Sequence, residues 1–278
     1  MTRVAFIGTG SMNGALAAGL LAAGADPASV RATVGSRASL EGLEARLGAP
    51  GLSLYALEDD PQANLKAVEG ADLVVLGVKP YAIAEVAAGL APALSPGTVV
   101  ISVAAGISIR TLAGVLPEGQ PVIRCMPNTP AQLGKGVLAL ALGPGLSQEQ
   151  REAAFALMGS VGRVIEVRED QMGAVTAVSG SGPAYAFLLA EAMAAAGQQL
   201  GLEAELAREL AAATVAGAGF LLDADPDPQK LRLAVTSPQG TTDQAIRSLM
   251  DGGFFQLTAT AMEACQERSW ELEQQLNP

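Results

Sequence analysis

The chain opens with a short apolar run, Thr2-Arg3-Val4-Ala5-Phe6-Ile7, broken at once by Gly8-Thr9-Gly10 and followed by a small-residue helical stretch from Ser11. No other feature restricts the fold as sharply. Strand, glycine turn and helix in this order form the phosphate-binding opening of a dinucleotide fold. Gly8 permits the tight turn, and Gly10 lets the backbone approach a pyrophosphate seated on the helix N-terminus. The third position of the G-x-G-x-x-G pattern holds Asn13, with Gly14 one place late. Such an opening also describes an ordinary strand-to-helix turn, so the following sheet has to decide.

The sheet supplies the support. Strand patterns at 30–34, 52–55, 71–78, 98–103 and 121–125 alternate with helical stretches at 12–24, 39–47, 64–68, 81–90 and 108–115. This alternation predicts a doubly wound, mostly parallel sheet with ligands at the carboxyl ends of its strands. Val78-Lys79-Pro80, Ala104-Ala105-Gly106 and Asn128-Thr129-Pro130 each end a strand, so all three are expected on the rim that carries Gly8. Further strands are expected at 137–142 and 164–167, on either side of a helix begun by the capping box Ser147–Gln150.

Dinucleotide folds that bind NAD carry an acid near the end of the second strand, where it takes the ribose 2′-hydroxyl. Here no acid occurs between Asp26 and Glu41, and the strand runs out into Gly35-Ser36-Arg37. A hydroxyl and a guanidinium suit a 2′-phosphate, which favours NADP(H) over NAD(H). The alternative is that Arg37 is an ordinary solvated side chain.

From Asp170 the strand pattern stops. Helical segments rich in Ala and Leu follow at 171–177, 183–200, 203–222, 228–235, 238–250 and 254–275. The boundary is expected near residue 166, giving a dinucleotide-binding domain at 1–166 and an all-helical domain at 167–278. The segment 203–222 has few charges after Glu209, and a helix apolar nearly all round must be buried on all sides. In a domain of this size that calls for a second subunit; the alternative is a monomer that buries these faces internally.

Composition excludes several function classes. A net charge of −11 with no basic stripe argues against a nucleic-acid partner. Cys125 and Cys265 are far apart, which fits reduced thiols in a cytoplasmic protein. No signal peptide and no membrane span are expected. The chain contains no histidine, which makes a typical zinc site unexpected and removes the usual acid–base residue.

Two stretches in the helical half stand out. Ser179-Gly180-Ser181-Gly182-Pro183-Ala184-Tyr185 and Ser237-Pro238-Gln239-Gly240-Thr241-Thr242-Asp243 both combine hydroxyls, glycine and a Ser-Pro or Gly-Pro helix start. Each can present backbone N–H groups to a carboxylate, and each can equally be a plain helix cap. A ketone reductase must protonate a developing alkoxide and normally uses His, Lys or Tyr. The helical half has a single lysine, Lys230, and a single tyrosine, Tyr185. An imine asks for less, because its nitrogen can carry a proton before hydride arrives.

At these residues the sequence resembles the pyrroline-5-carboxylate reductases over nearly its whole length. The marks are FIGTGSM, the VKP and AAGISI strand ends, RCMPNTP, VSGSGPAYAF, TSPQGTT with GGF after it, and EACQERSWEL. The resemblance implies NADPH-linked reduction of the cyclic imine 1-pyrroline-5-carboxylate to L-proline, the last step of proline biosynthesis, with NADH as a weaker alternative. It implies a Rossmann domain followed by an all-α domain that forms a homodimer, with five dimers often joined into a decamer. On the cofactor side it points to Gly8, Thr9, Gly10, Ser11 and Met12, to Ser36 and Arg37 near the 2′-phosphate, and to Asn64, Val78, Lys79, Ala105 and Asn128. On the substrate side it points to Ser181, Gly240 and Thr241 for the carboxylate and Thr242 for the ring nitrogen. Asp225 falls where some members place a glutamate that reaches the substrate.

The sequence departs from the family pattern in three places. Asn13 stands where Ala is usual, which is expected to shift the helix against its strand. Gln239 replaces the first glycine of SPGGTT, and Arg232-Leu233-Ala234 replaces a more polar stretch. A β-hydroxyacid dehydrogenase shares the layout but uses a lysine on the first long helix of its second domain, and no lysine lies between Lys135 and Lys230. A nucleotide-binding protein without activity would be free to lose the hydroxyls at Ser181 and Thr242, which are present. The reading of Ser36 and Arg37 predicts that NADPH binds more tightly than NADH. Titration of the two reduced cofactors by nicotinamide fluorescence checks this, and tighter binding of NADH would overturn it.

Overall fold

The strands at the centre of the sheet are short runs of Val, Ile, Leu and Phe because both their faces are covered, and such strands read as unbroken apolar stretches. In the computed structural model, which describes residues 2–276, eight strands form one sheet. They are β1 (Val4–Ile7), β2 (Val30–Val34), β3 (Ser53–Ala56), β4 (Leu73–Leu76), β5 (Val99–Ser102), β6 (Val122–Met126), β7 (Gly136–Leu142) and β8 (Gly162–Glu166). Their order is β3-β2-β1-β4-β5-β6-β7-β8. The pairs from β3 across to β6 are parallel, β7 runs antiparallel to β6, and β8 is parallel to β7. The expected doubly wound, mostly parallel sheet is thus present.

The period-two alternation of the strands divides the core into two layers. Val4, Phe6, Leu73, Val75 and Ile101 face a layer with α1 (Ser11–Ala22), α2 (Arg37–Leu47) and α6 (Gln148–Gly159), meeting Leu16, Leu43 and Leu157. Ala5, Ile7, Val74, Leu76 and Val100 face the other layer with α3 (Ala63–Val68), α4 (Ile83–Leu90) and α5 (Ile109–Val115), meeting Val68, Ile83 and Leu112. Each fully buried side chain of this size contributes about 1.5–3 kcal/mol, so the sheet and its two layers supply the main driving force for folding this part of the chain.

The strand order reverses direction between β1 and β4. At this point the backbone after β1 passes close against the backbone after β4. Gly8 takes φ +73°, and a Cβ there would lie 2.9 Å from the Val78 amide nitrogen and 2.3 Å from its Cγ1. Asn13 secures the same place from α1: its buried amide Nδ2 is shared among the carbonyls of Ile7 (3.2 Å), Gly8 (3.4 Å) and Val75 (3.1 Å). Room for that side chain comes from Gly77, where a Cβ would sit 2.5 Å from Asn13 Cγ. The residue that departs from the family pattern therefore stitches the helix to both strands.

After β8 the chain forms α7 (Met172–Val175), which continues as a π-helical turn over Thr176–Gly180. Then come α8 (Gly182–Gln199), α9 (Ala204–Ala224), α10 (Pro228–Ala234), α11 (Thr241–Asp251) and α12 (Phe254–Leu276). By packing, the chain divides into one unit up to Gly180 together with the chain from Cys265, and a second unit of Ser181–Ala264. This differs from the boundary expected near residue 166, because α7 and the end of α12 are held by the sheet unit. Met172 is buried in the core layer of Ile7 and Leu76. Arg124 on β6, its side chain only 5% exposed, binds Glu273 (2.8 Å) and Glu169 (3.5 Å). Glu169 also accepts from the Ile109 amide at 2.6 Å. Loop and helix end are thus tied to one buried guanidinium.

The second unit is helical throughout. α8 and α9 pack closely across small residues, with Gly197 facing Ala207 at a distance that leaves a Cβ 3.3 Å from the alanine methyl. Among the described residues of this unit the buried ones are Ala194, Ala207 and Ala211. Large apolar side chains stay open in the single chain, among them Phe187 (67%), Phe220 (67%), Phe255 (70%) and Leu257 (71%). No described helix is long and apolar enough to cross a membrane.

The close approach at Gly8 predicts the effect of Gly8→Ala. A left-handed alanine together with a clash against Val78 backbone should cost about 2 kcal/mol or more. Urea unfolding should show a lowered midpoint, and cofactor titration a weaker dissociation constant; unchanged values in both would refute the account of the turn.

Candidate active site

The parallel pairing sets the ends of β1, β4, β5 and β6 along one edge, so Gly8, Val78, Ala105 and Asn128 stand on the same rim, as expected. A cleft of about 520 Å³ opens over the glycine turn. Gly8–Ser11 form one wall, Val78, Lys79 and Tyr81 a second, and Gly35 with Ser39 a third.

The glycine turn is held rigidly from below. Thr9 donates its amide to the Thr33 carbonyl at 2.7 Å and its hydroxyl to the Phe6 carbonyl at 3.1 Å. The Gly8 amide donates to the Thr33 hydroxyl at 3.2 Å. Thr9 therefore serves the turn with its side chain, and only its backbone faces a ligand role. Above the turn the site is open. A Cβ on Gly10 would meet nothing within 4 Å. No side chain caps α1 and no acid occupies its first turn, so the N–H groups of its first turn have no side-chain cap to compete with a diphosphate. Met12, the next expected residue, packs partly into the core under the turn.

At the third wall, Ser36 caps α2 by accepting from the Ser39 amide, and Arg37 is the first helical residue. Arg37 is not a bare cation. Its Nη2 and Nε lie 2.5 and 3.3 Å from the carboxylate oxygens of Asp59. Its amide donates to Glu58 Oε2 at 2.9 Å. The hydrogen bond and charge of Asp59 raise the pKa of the guanidinium further above its ordinary value. Asn64, on α3, keeps its buried Oδ1 without a partner, an acceptor suited to a hydroxyl or amino group of a nucleoside. The open helix N-terminus, the absence of an acid there, Arg37 and Asn64 together fit an NADP molecule.

Ala105 is exposed on the loop after β5. Asn128, by contrast, is buried and committed to the protein: Nδ2 donates to the Ser179 carbonyl at 3.0 Å, and Oδ1 accepts from the Val137 amide at 2.8 Å. Its side chain fixes the loop after β6, and a ligand contact there falls to the backbone.

In the second unit, Gly240 is the N-cap of α11, and Thr241 and Thr242 are its first two residues, both exposed. The turn before them is unusual. Gln239 adopts φ +62°, a left-handed conformation that favours glycine. Its amide donates to Asp243 Oδ2 at 3.1 Å. Arg247, bonded to the same carboxylate, and then that amide hold Asp243 below the usual carboxylate range. Gly240 has no room for a side chain, since a Cβ would lie 2.6 Å from Ser237 Oγ. Ser181 stands at the N-cap of α8, with Pro183 as the second helical residue. Asp225 ends α9 with its Oδ2 on Lys230 Nζ at 2.6 Å.

Sequence reading did not single out Tyr81, Glu58 or Asp59. Tyr81 had a signal in its position just after Lys79-Pro80. The two acids had none, because they follow β3 and reach Arg37 only through strand pairing.

Residues 169–272 match the family model described as pyrroline-5-carboxylate reductase dimerisation, and residues 3–106 match that of the coenzyme F420-dependent NADP oxidoreductases. A pyrroline-5-carboxylate reductase of Pseudomonas aeruginosa is 44% identical over 99% of this chain and 98% of its own length. One from Mycobacterium tuberculosis is 40% identical over 98% and 97%. Among solved structures, a pyrroline-5-carboxylate reductase from Coxiella burnetii superimposes with a TM-score of 0.89 at 35% identity, covering 98% of both chains. The Plasmodium falciparum pyrroline carboxylate reductase with NADP bound gives 0.81 at 26% identity, again covering 98% of both. With a glycine-turn cleft that fits NADP, a dimerisation-domain match over residues 169–272, and relatives of this similarity along nearly the full length, this chain belongs to the pyrroline-5-carboxylate reductase family.

Proposed function

We infer that the chain reduces 1-pyrroline-5-carboxylate to L-proline, the last step of proline biosynthesis, with NADPH as the reductant. The observation that carries the reading is the helix start at Gly240-Thr241-Thr242, intact in a chain whose other unit holds an open NADP cleft. NADPH, when bound, supplies hydride to the imine carbon. The chain's own residues have to bind, orient and polarise.

On the substrate side, the amides of Gly240 and Thr241 and the hydroxyl of Ser181 hold the carboxylate, as helix starts do for anions. Thr242 hydrogen-bonds the ring nitrogen and so fixes which face of the imine receives hydride. Asp225 contacts the substrate through the oxygen that Lys230 leaves. On the cofactor side, Gly8–Met12 seat the diphosphate, Ser36 and Arg37 the 2′-phosphate, and Asn64, Val78, Lys79, Ala105 and Asn128 flank the remainder. No histidine is needed, because an iminium arrives already protonated and the site only has to orient it.

The chain forms a homodimer through its helical domain, whose open faces at Phe187, Phe220 and Leu257 a second copy covers. The family resemblance supports a decamer of five such dimers. A cytoplasmic location fits Cys125 and Cys265, neither in a disulfide, with burial pushing the Cys125 thiol pKa up.

Thr242→Val keeps the shape of the residue and removes its hydroxyl. It should lower kcat about 10- to 100-fold with pyrroline-5-carboxylate while NADPH affinity stays unchanged. Wild-type turnover would remove Thr242 from the site. Gln239→Gly relieves the left-handed backbone and should stabilise the protein by about 0.5–1 kcal/mol in urea unfolding, the strain removed exceeding the added chain entropy. A lowered stability would show that the glutamine side chain makes compensating contacts.

A further inference from the structure

The residues that receive a 2′-phosphate are already occupied. Two donors define that position: the backbone amide at the start of α2 and the Arg37 guanidinium. The first is taken by Glu58 Oε2 at 2.9 Å and the second by both carboxylate oxygens of Asp59. Neither acid belongs to β2, the strand on which an NAD-type acid is normally found. They arrive from the neighbouring strand. β2 and β3 are parallel with Val34 opposite Ala56, and the pairing continues past the strand ends, Leu57 donating to the Val34 carbonyl at 2.9 Å and Glu58 to that of Gly35 at 3.1 Å. The register therefore delivers two carboxylates to the point where Gly35-Ser36-Arg37 leaves the sheet.

We propose that Glu58 and Asp59 set the cofactor preference of this enzyme, by competing with the 2′-phosphate of NADPH for the amide and guanidinium of Arg37 while leaving an acceptor for the 2′-hydroxyl of NADH. A 2′-phosphate must displace two like-charged groups, and it recovers their donors only after doing so. NADH has no phosphate to repel, and its ribose hydroxyl can donate to Glu58. The pair thus narrows the advantage that Ser36 and Arg37 give NADPH and makes NADH a usable second cofactor. The exposed ion pair of Arg37 with Asp59 contributes little to stability, so its charge can act on the ligand with little effect on the fold.

This inference rests on the assignment of Arg37 to the 2′-phosphate, and the test separates the two. Dissociation constants of NADPH and NADH are measured by fluorescence titration, without substrate, for the wild type, Asp59→Asn, Glu58→Gln, the double variant and Arg37→Ala. Adenosine 2′,5′-bisphosphate and AMP serve as fragments that differ only in the 2′-phosphate. The expected result is a rise of about tenfold in the preference for NADPH over NADH in the double variant, with a parallel gain for the bisphosphate over AMP. An unchanged or reduced preference in the double variant, with Arg37→Ala still weakening NADPH selectively, overturns the role of the acids alone. If Arg37→Ala leaves the NADPH constant unchanged, the assignment of Arg37 falls and the proposal falls with it.

Discussion

The close passage of two backbones where the sheet reverses direction governs much of what this protein can do. Gly8 turns against Val78 with no room for a side chain, and the Asn13 amide ties the ends of β1 and β4 to the first helix. This contact places the N-terminus of α1 over a cleft and leaves its amides uncapped. A larger residue at Gly8 or Gly77 would separate the strands at the floor of that cleft. Core packing on both sheet faces supports the contact, because buried layers of Val, Ile and Leu allow no compensating shift of one strand past another.

The second unit follows a different logic. Its helices are held by small residues at close approach and keep their large apolar side chains outward. That arrangement makes sense for a chain whose core is completed by a second copy. The turn at Gly240 that starts α11 belongs to this unit. Strain at Gln239, stabilised by Asp243 and Arg247, lies in the same turn. Backbone strain of this sort is commonly found where a loop is held for a ligand.

Much of the fold was legible in residue pattern alone. Alternating apolar runs and helical stretches placed the strands and α-helices of the described residues to within a few residues, since the burial of strand faces and the capping of helices are local effects. The division of the chain was less legible. Residues 171–180 and the end of α12 are helical, yet they pack with the sheet, where Arg124, buried on β6, binds the carboxylates of Glu169 and Glu273. No local pattern announces a partner 149 residues away.

By itself the sequence determined the dinucleotide opening, the strand ends that share its rim, the family and the chemistry open to a chain without histidine. These follow from residue type and spacing, which act over a few residues. Only the tertiary structure decided how the side chains at the site are engaged. Thr9 and Asn128 turn inward to hold loops, Asn13 joins helix to strands, and Asp225 is bound to Lys230. Above all, two acids that follow β3 stand beside Arg37, although β2 itself ends without one. Parallel pairing brings Glu58 and Asp59 beside Arg37 from 21 and 22 residues along the chain. Hydrogen-bonding register between strands, which no single stretch of sequence contains, is the physical reason.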